Sequence, residues 1–325
     1  MSNWATQDSE ERWQDTEEGI QELLLQHYRS IFASVCPSSA SIDENFWNIV
    51  GINVSNSVLK ILNDHAFLNK MNYTHVVLIP KCDNPEGVSQ LRLVSLCNVV
   101  VKIASKCLAN QLKGIMNSII SPSQSVFIPD RLITDNVLLA FELNHFLKVS
   151  SHLRKGFAAL KLVMSKAYDR VERSFLRRVL LRLGFESEFV ELIMLLVTIV
   201  SYPLTLNGEP FGYFHIERGI RQGDPLSPYL FIFCAKTFSC LIQKTEAQGA
   251  IQGIQISSEA PSISHLLFTD DNLLFCRAIE RQIEEIRSIL ALYANASGQE
   301  VNFSKFSMVI SGIIREEEKR RLLAG

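Results

Sequence analysis

Asp270 and Asp271 are adjacent carboxylates set between two apolar runs, His265-Leu266-Leu267-Phe268 before them and Leu273-Leu274-Phe275-Cys276 after. The polar stretch Thr269-Asp270-Asp271-Asn272 between runs rich in Leu and Phe is the pattern of two short buried strands joined by a tight turn. Neighbouring carboxylates at the tip of an apolar hairpin repel each other and are costly to dehydrate unless positive charge sits beside them. A hard divalent cation such as magnesium meets that need, because it accepts one or two carboxylates and keeps its other positions for water and phosphate oxygens. The competing reading is a solvated turn, since Asp is common in turns. Apolar sequence on both sides counts against it, because a surface hairpin alternates polar residues outward.

Such a hairpin needs a sheet to extend and helices to cover it. The spacing predicts a strand over 157–164, a helix over 166–183 stopped by Gly184, and an apolar helix over 187–200. A hairpin follows at Leu204-Thr205-Leu206-Asn207-Gly208, then a helix from Ser227-Pro228 to 248. After the aspartates come an amphipathic helix marked by Ile283, Ile286, Leu290 and Tyr293, and a strand over 301–310. Strand, helix, hairpin, helix, strand is the order of an antiparallel sheet with helices on one face, an α+β arrangement.

Upstream, residues 1–15 are polar and acidic and read as poorly ordered. Ile20, Leu23, Leu24, Tyr28 and Ile31 predict a helix from Thr16, and 36–43 reads as a loop. A packed helix start at Phe46-Trp47-Asn48-Ile49-Val50-Gly51 continuing as a helix over 54–68, a strand over 76–80 closed by proline and a helix over 99–116 follow. The last is read with Val99, Ile103, Cys107, Leu108, Leu112 and Ile115 inward, and with Lys102, Lys106 and Lys113 sharing the opposite face. Residues 121–135 read as a loop.

The net charge of −2 hides a strong asymmetry: residues 60–182 carry 18 basic against 8 acidic side chains, whereas 1–59 carry 2 against 9. A basic middle suits a phosphate backbone, although a solvated surface of Lys-rich helices accounts for it equally. A chain of 325 residues that is 47% hydrophobic buries a sizeable core as one large domain or two intimate subdomains. No apolar run is long and uncharged enough to span a membrane, and the acidic N-terminus is no signal peptide. Seven cysteines without Cys-x-x-Cys spacing argue for reduced thiols, hence an intracellular protein of cytoplasm or nucleus, not a secreted one.

Phe268-Thr269-Asp270-Asp271 resembles the aspartate-pair motif of reverse transcriptases, and the surrounding segments resemble the plant LINE-type (non-LTR) retrotransposon branch of that family. Val77-Leu78-Ile79-Pro80-Lys81, Ser95-Leu96-Cys97-Asn98, Arg131-Leu132-Ile133-Thr134-Asp135-Asn136, Ser165-Lys166-Ala167-Tyr168-Asp169-Arg170, Arg221-Gln222-Gly223-Asp224-Pro225-Leu226-Ser227-Pro228 and Ala296-Ser297-Gly298-Gln299 occur in the family's order. The resemblance implies a fingers-palm fold with the thumb absent. It divides the chain into an acidic helix and linker over 1–45, partial fingers leading into the palm over 46–156, the palm over 157–310 and a short tail over 311–325.

It also implies an RNA-directed DNA polymerase that takes an RNA template, a DNA primer and deoxynucleotides with magnesium ions on Asp270 and Asp271. Lys81, Arg92, Tyr168, Gln222 and Gly223 would hold the nucleotide, and Lys102, Lys106, Lys113 and Arg131 the template. Lys305 matches a lysine placed to protonate pyrophosphate. Two departures stand out. Asp130 replaces a glycine in a turn that needs positive φ. Val163 lies five residues before Tyr168, where the family carries its third metal-binding aspartate. Valine offers no lone pair, so little or no polymerisation is expected. The alternatives are a non-catalytic remnant that binds nucleic acid and an interaction module whose aspartate turn holds no metal.

Overall fold

The computed structural model describes residues 6–7, 13–14, 44–64, 68, 71–72, 74–84, 87, 90–149, 156–198, 201–206 and 209–312. The chain divides into two units, Met1–Ser55 and Asn56–Gly325. In the first, β1 (Thr6–Gln7) pairs antiparallel with β2 (Trp13–Gln14) inside the stretch expected to lack order. The helix expected from Thr16 and the loop over 36–43 lie outside the described residues. Helix α1 (Glu44–Asn63) begins close to the expected start at 46–51, ends before the expected 68, and buries Val58 and Ile61.

Two four-stranded sheets occupy the second unit. One joins β3 (Thr74–Pro80), β4 (Leu91–Cys97), β6 (Ser201–Leu206) and β7 (Glu209–His215) in the order β4-β3-β6-β7. Here β3 and β4 form a hairpin in which Pro80 faces Leu91, and β3 pairs with β6 in parallel. The other sheet orders β10 (Ser307–Ile310), β5 (Phe157–Val163), β9 (Asp271–Arg277) and β8 (His265–Phe268), and every pairing in it is antiparallel. Covering helices are α2 (Val99–Ile119), α3 (Ile133–Val149), α4 (Ala167–Arg170), α5 (Arg173–Arg182), α6 (Ser187–Thr198), α7 (Ser227–Ala247) and α8 (Glu280–Ser297). Phe231, Phe233 and Phe238 of α7 are fully buried, and Leu143 and Leu147 of α3 pack with Phe157, Leu266 and Phe275 of the sheet. This is the expected α+β class.

Three expectations need correction. Helix α2 does not turn Val99, Ile103, Cys107 and Ile115 inward; Val99 is 69% exposed, and the buried stripe is Val101, Ala104, Ser105, Leu108, Ala109, Leu112 and Met116. Small residues let the helix approach its neighbours closely, and the β-branched residues at 99 and 103 mislead because apolar residues lie on more than one side. The helix over 166–183 is broken into α4 and α5, because Val171 and Glu172 are extended and their backbone groups bond elsewhere: the Val171 carbonyl accepts from Gly219, and the Glu172 N–H donates to Ser297. The strand over 301–310 is confined to β10, preceded by a 3-10 turn at Phe303–Lys305, where the Asn302 side chain takes the Ser304 N–H. Helix α3 had no sequence expectation over most of its length. Leu143 and Leu147 face inward while Val137, Leu138 and Phe141 are exposed, so no single apolar stripe marks it.

The described cysteines, Cys82, Cys97, Cys107, Cys234, Cys240 and Cys276, are free thiols. Among the described residues no helix is long and apolar enough to cross a membrane.

Candidate active site

The aspartate pair sits where its flanking sequence predicts. Strands β8 and β9 pair Phe268 with Asp271, which leaves Thr269 and Asp270 as a two-residue turn. Thr269 adopts φ 62°, a left-handed conformation costly for a β-branched residue. The surroundings hold it there: the Asp270 carbonyl accepts the Met164 N–H at 2.9 Å and the Asn272 side-chain amide at 3.2 Å, and Asn272 is buried. Both carboxylates are thereby presented to solvent at the hairpin tip.

Strand β5 runs beside this tip and puts Val163 directly opposite Asp271. Residues opposite each other on antiparallel strands project from the same face with Cβ atoms about 5 Å apart. Val163 therefore occupies the place from which a third carboxylate would join the pair, and it is 8% exposed. Asp169 is no substitute, since it stands on α4 beyond the strand end. Burial raises its carboxyl above the ordinary value, while Lys166 and Lys81 pull it down. Among the described residues no three His, Cys, Asp or Glu side chains are grouped to hold a metal ion. Two carboxylates and a valine are too few donors for a pair of divalent ions, so the residues present do not fit a two-ion centre.

Tyr168 is brought to the aspartates by α4. Its ring stacks on Phe231 at 5.1 Å, and its hydroxyl is pushed up to about 12 by burial and then by the charge of Asp270. The turn that carries it is clamped from behind. Gln299 donates to the Ala167 carbonyl at 2.8 Å, Ser297 accepts from Glu172, and Ser165 donates to Glu300. Gly298, at φ 77°, lies so close to Arg170 that a Cβ would run into its carbonyl oxygen. Ala296-Ser297-Gly298-Gln299 entered the sequence reading only as a matching segment; its role as a clamp was missed. The one local signal was the Gly-Gln step at a helix end.

The remaining candidates divide. Lys81, exposed at the end of β3, lies near enough to Asp169 to influence its ionisation, and Arg92 is exposed on β4 opposite Ile79. Gln222 accepts the Ser95 N–H through its carbonyl at 3.3 Å, and Gly223 takes φ 97° with its Cα facing the Ser95 carbonyl. This seats the loop on β4. Beside it lies a network that sequence reasoning did not find. Arg221, buried, donates to Asn72 and pairs with Asp224 at 3.7 Å, while Asp224 accepts from Ser105 at 3.2 Å and from the Leu226 N–H at 2.9 Å. An Arg and Asp three apart in the loop before a helix was its only trace.

On α2, Lys106 is exposed while Lys102 and Lys113 are half-buried. Arg131 is engaged internally: its guanidinium donates to the Asn117 side chain and to the carbonyls of Ile120, Ser121 and Gln124, and it ties down the turn after α2. Asp130 beside it takes φ 62°, the left-handed conformation expected where a glycine is replaced. Lys305 is exposed on the 3-10 turn, not in a strand.

Over residues 79–323 the chain matches the family described as reverse transcriptase (RNA-dependent DNA polymerase). It is 28% identical over 238 residues to the transposon TX1 uncharacterized 149 kDa protein of Xenopus laevis, covering 73% of this chain and 18% of that protein. A 66-residue stretch is 52% identical to an uncharacterized mitochondrial protein of Arabidopsis thaliana, 20% of this chain and 54% of that one. Against the retrovirus-related Pol polyprotein from the type-1 retrotransposable element R2 of Popillia japonica, identity is 27% over 199 residues, 61% of this chain and 26% of the polyprotein. The chain thus spans 18% to 54% of the length of these relatives. Among solved structures, it is similar to telomerase from Candida albicans in complex with a fragment of telomeric RNA (15% identity, TM-score 0.46, covering 77% of this chain and 42% of that chain). It is also similar to apo telomerase from Candida tropicalis (14% identity, TM-score 0.48, 96% and 59%). With the family matched over most of its length and retrotransposon proteins as relatives, the chain belongs to the reverse transcriptases, as a domain of the non-LTR retrotransposon kind.

Proposed function

We propose that this chain is an RNA-directed DNA polymerase domain by descent which binds template and primer but no longer polymerises. The observation that carries the reading is the pairing of Val163 with Asp271. Nucleotidyl transfer by paired magnesium ions needs carboxylates that hold both ions roughly 4 Å apart. Asp270 and Asp271 supply two, and the strand beside them contributes a methyl-bearing surface.

The rest of the nucleotide platform supports descent from an active enzyme. Tyr168 presents its ring beside Asp270, where it would check the sugar of a deoxynucleotide, and Lys81 and Arg92 are exposed cations suited to its phosphates. Gln222 and Gly223 would line the nucleotide from the loop seated on β4. Lys305, exposed on the 3-10 turn that leads into β10, would serve pyrophosphate. Lys102, Lys106 and Lys113 lie along one side of α2 within the basic middle of the chain and would track the template backbone. Arg131 serves the loop instead. The setting is intracellular, cytoplasm or nucleus, where RNA templates occur.

The test is magnesium-dependent primer extension on an RNA template with the full chain, Val163→Asp, and Val163→Asp combined with Asp270→Ala, alongside RNA binding by fluorescence anisotropy. A direct carboxylate ligand is worth at least about 100-fold in rate, so only Val163→Asp should extend the primer, while all three bind RNA alike. Extension by the unmodified chain would falsify the claim of lost polymerisation.

A further inference from the structure

Helices α5, α7 and α8 line an open apolar cavity of about 530 Å3. Its floor includes Phe175, Leu241 and Tyr293, and Leu292 lies at its edge, 57% exposed. Its charged lining is of one sign: Arg178 and Arg182 from α5, Lys236 and Lys244 from α7, with no carboxylate among the lining residues. Arg177, next to Arg178 in sequence, is neutralised by Glu191 of α6, whereas among the described residues none of the four lining cations pairs with an acidic side chain.

Four like charges around one apolar cavity repel one another and gain from an anionic occupant. An apolar floor gains from an apolar one. The two requirements together favour an amphipathic partner over a bare phosphate chain. A single-stranded nucleic acid would need aromatic faces to stack on. Phe175 and Tyr293 do not offer theirs: both are buried, packed edge to face on each other, and Tyr293 leans on Phe238 as well. Three helices side by side present a groove that takes the ridge of a fourth.

We propose that this groove is a docking site for an acidic amphipathic helix of a protein partner, which inserts apolar residues spaced i, i+3/i+4, i+7 and sets its carboxylates against Arg178, Arg182, Lys236 and Lys244. The probe is a synthetic peptide of about 18 residues, long enough to be helical, with Leu at those positions and Glu on the flanks. The full chain should bind it with an affinity that falls as salt rises. A peptide of the same composition with the Leu positions scrambled, and one with Lys in place of Glu, should not bind.

Arg178→Gln/Arg182→Gln/Lys236→Gln/Lys244→Gln should weaken binding about tenfold or more, since each exposed pair contributes roughly 0.15 to 0.7 of a decade and four are removed. A bromoacetyl group at the peptide terminus gives a second readout on the unmodified chain, because Cys240 lines the cavity and is exposed. Peptide mapping should find Cys240 alkylated ahead of the exposed Cys82 and Cys107. Equal binding by the quadruple variant, or alkylation at Cys82 or Cys107 instead, overturns the proposal. So does an RNA oligonucleotide whose affinity drops in the quadruple variant while the peptide's does not; that result assigns the face to nucleic acid.

Discussion

Val163 and His265 illustrate two fates of a position beside the aspartate hairpin. At 163 an apolar side chain shares a sheet face with Asp271 and contributes packing without charge. At 265, on the strand leading into the turn, a titratable ring is buried and kept neutral. The Ser239 and Ser123 hydroxyls lie 2.7 and 3.0 Å from its Nε2, Ser264 lies 3.1 Å from Nδ1, and burial lowers its ionisation to about 4. The unfolded chain titrates this group at about 6.5, so between those values the unfolded state binds the extra proton. The stability that follows is fully present above pH 6.5 and is lost as pH falls toward 4, by an amount on the order of 3 kcal/mol. Urea unfolding from pH 7 to pH 4 should therefore show a decline that His265→Gln removes. A flat profile in the unmodified chain would mean that the ring is hydrated.

At the scale of elements, the clamp behind Tyr168 is where local chemistry and long-range placement meet. Gly298→Ala puts a Cβ against the Arg170 carbonyl at a backbone angle that L residues avoid, and should destabilise the chain by at least about 2 kcal/mol. Gln299→Ala leaves the Ala167 carbonyl without its donor and should cost about 1–3 kcal/mol. Hydrogen exchange at 165–172 should quicken in both; unchanged exchange there would show that the turn stands without the clamp. The hairpin carrying Asp270 and Asp271 was legible in the sequence because apolar flanks and a two-residue polar turn are local signals, and so was the strand ending at Val163. The break between α4 and α5 was not, since it depends on Gly219 and Ser297 taking backbone groups of Val171 and Glu172 from far along the chain. The buried stripe of α2 was misread for a related reason. Which of two apolar sides of such a helix faces inward is decided by its neighbours. The resemblance assigns Arg131 to the template, and nothing in the sequence announces that carbonyls of Ile120, Ser121 and Gln124 converge on it.

Across the second unit as a whole, the loop holding Gln222 and Gly223 acts as a rivet. It joins β4 through Ser95, the segment after α1 through Asn72, and α2 through Ser105, and Asn72 in turn donates to the carbonyls of Leu195 and Leu196 on α6. Arg221 and Asp224 are at its centre, both nearly inaccessible to solvent. A buried ion pair is a poor source of net stability, because desolvation offsets the attraction, but removing one partner strands the other. Asp224→Ala should therefore cost about 3–5 kcal/mol, since it leaves the guanidinium without its carboxylate and Ser105 and the Leu226 N–H without an acceptor. Arg221→Met combined with Asp224→Leu should cost less than Asp224→Ala alone, because no buried charge remains. Chemical denaturation of the three chains checks this ordering. If the double replacement is as damaging as the single one, the pair's worth lies in the hydrogen bonds to Asn72 and Ser105, and the loop is held by geometry more than by charge.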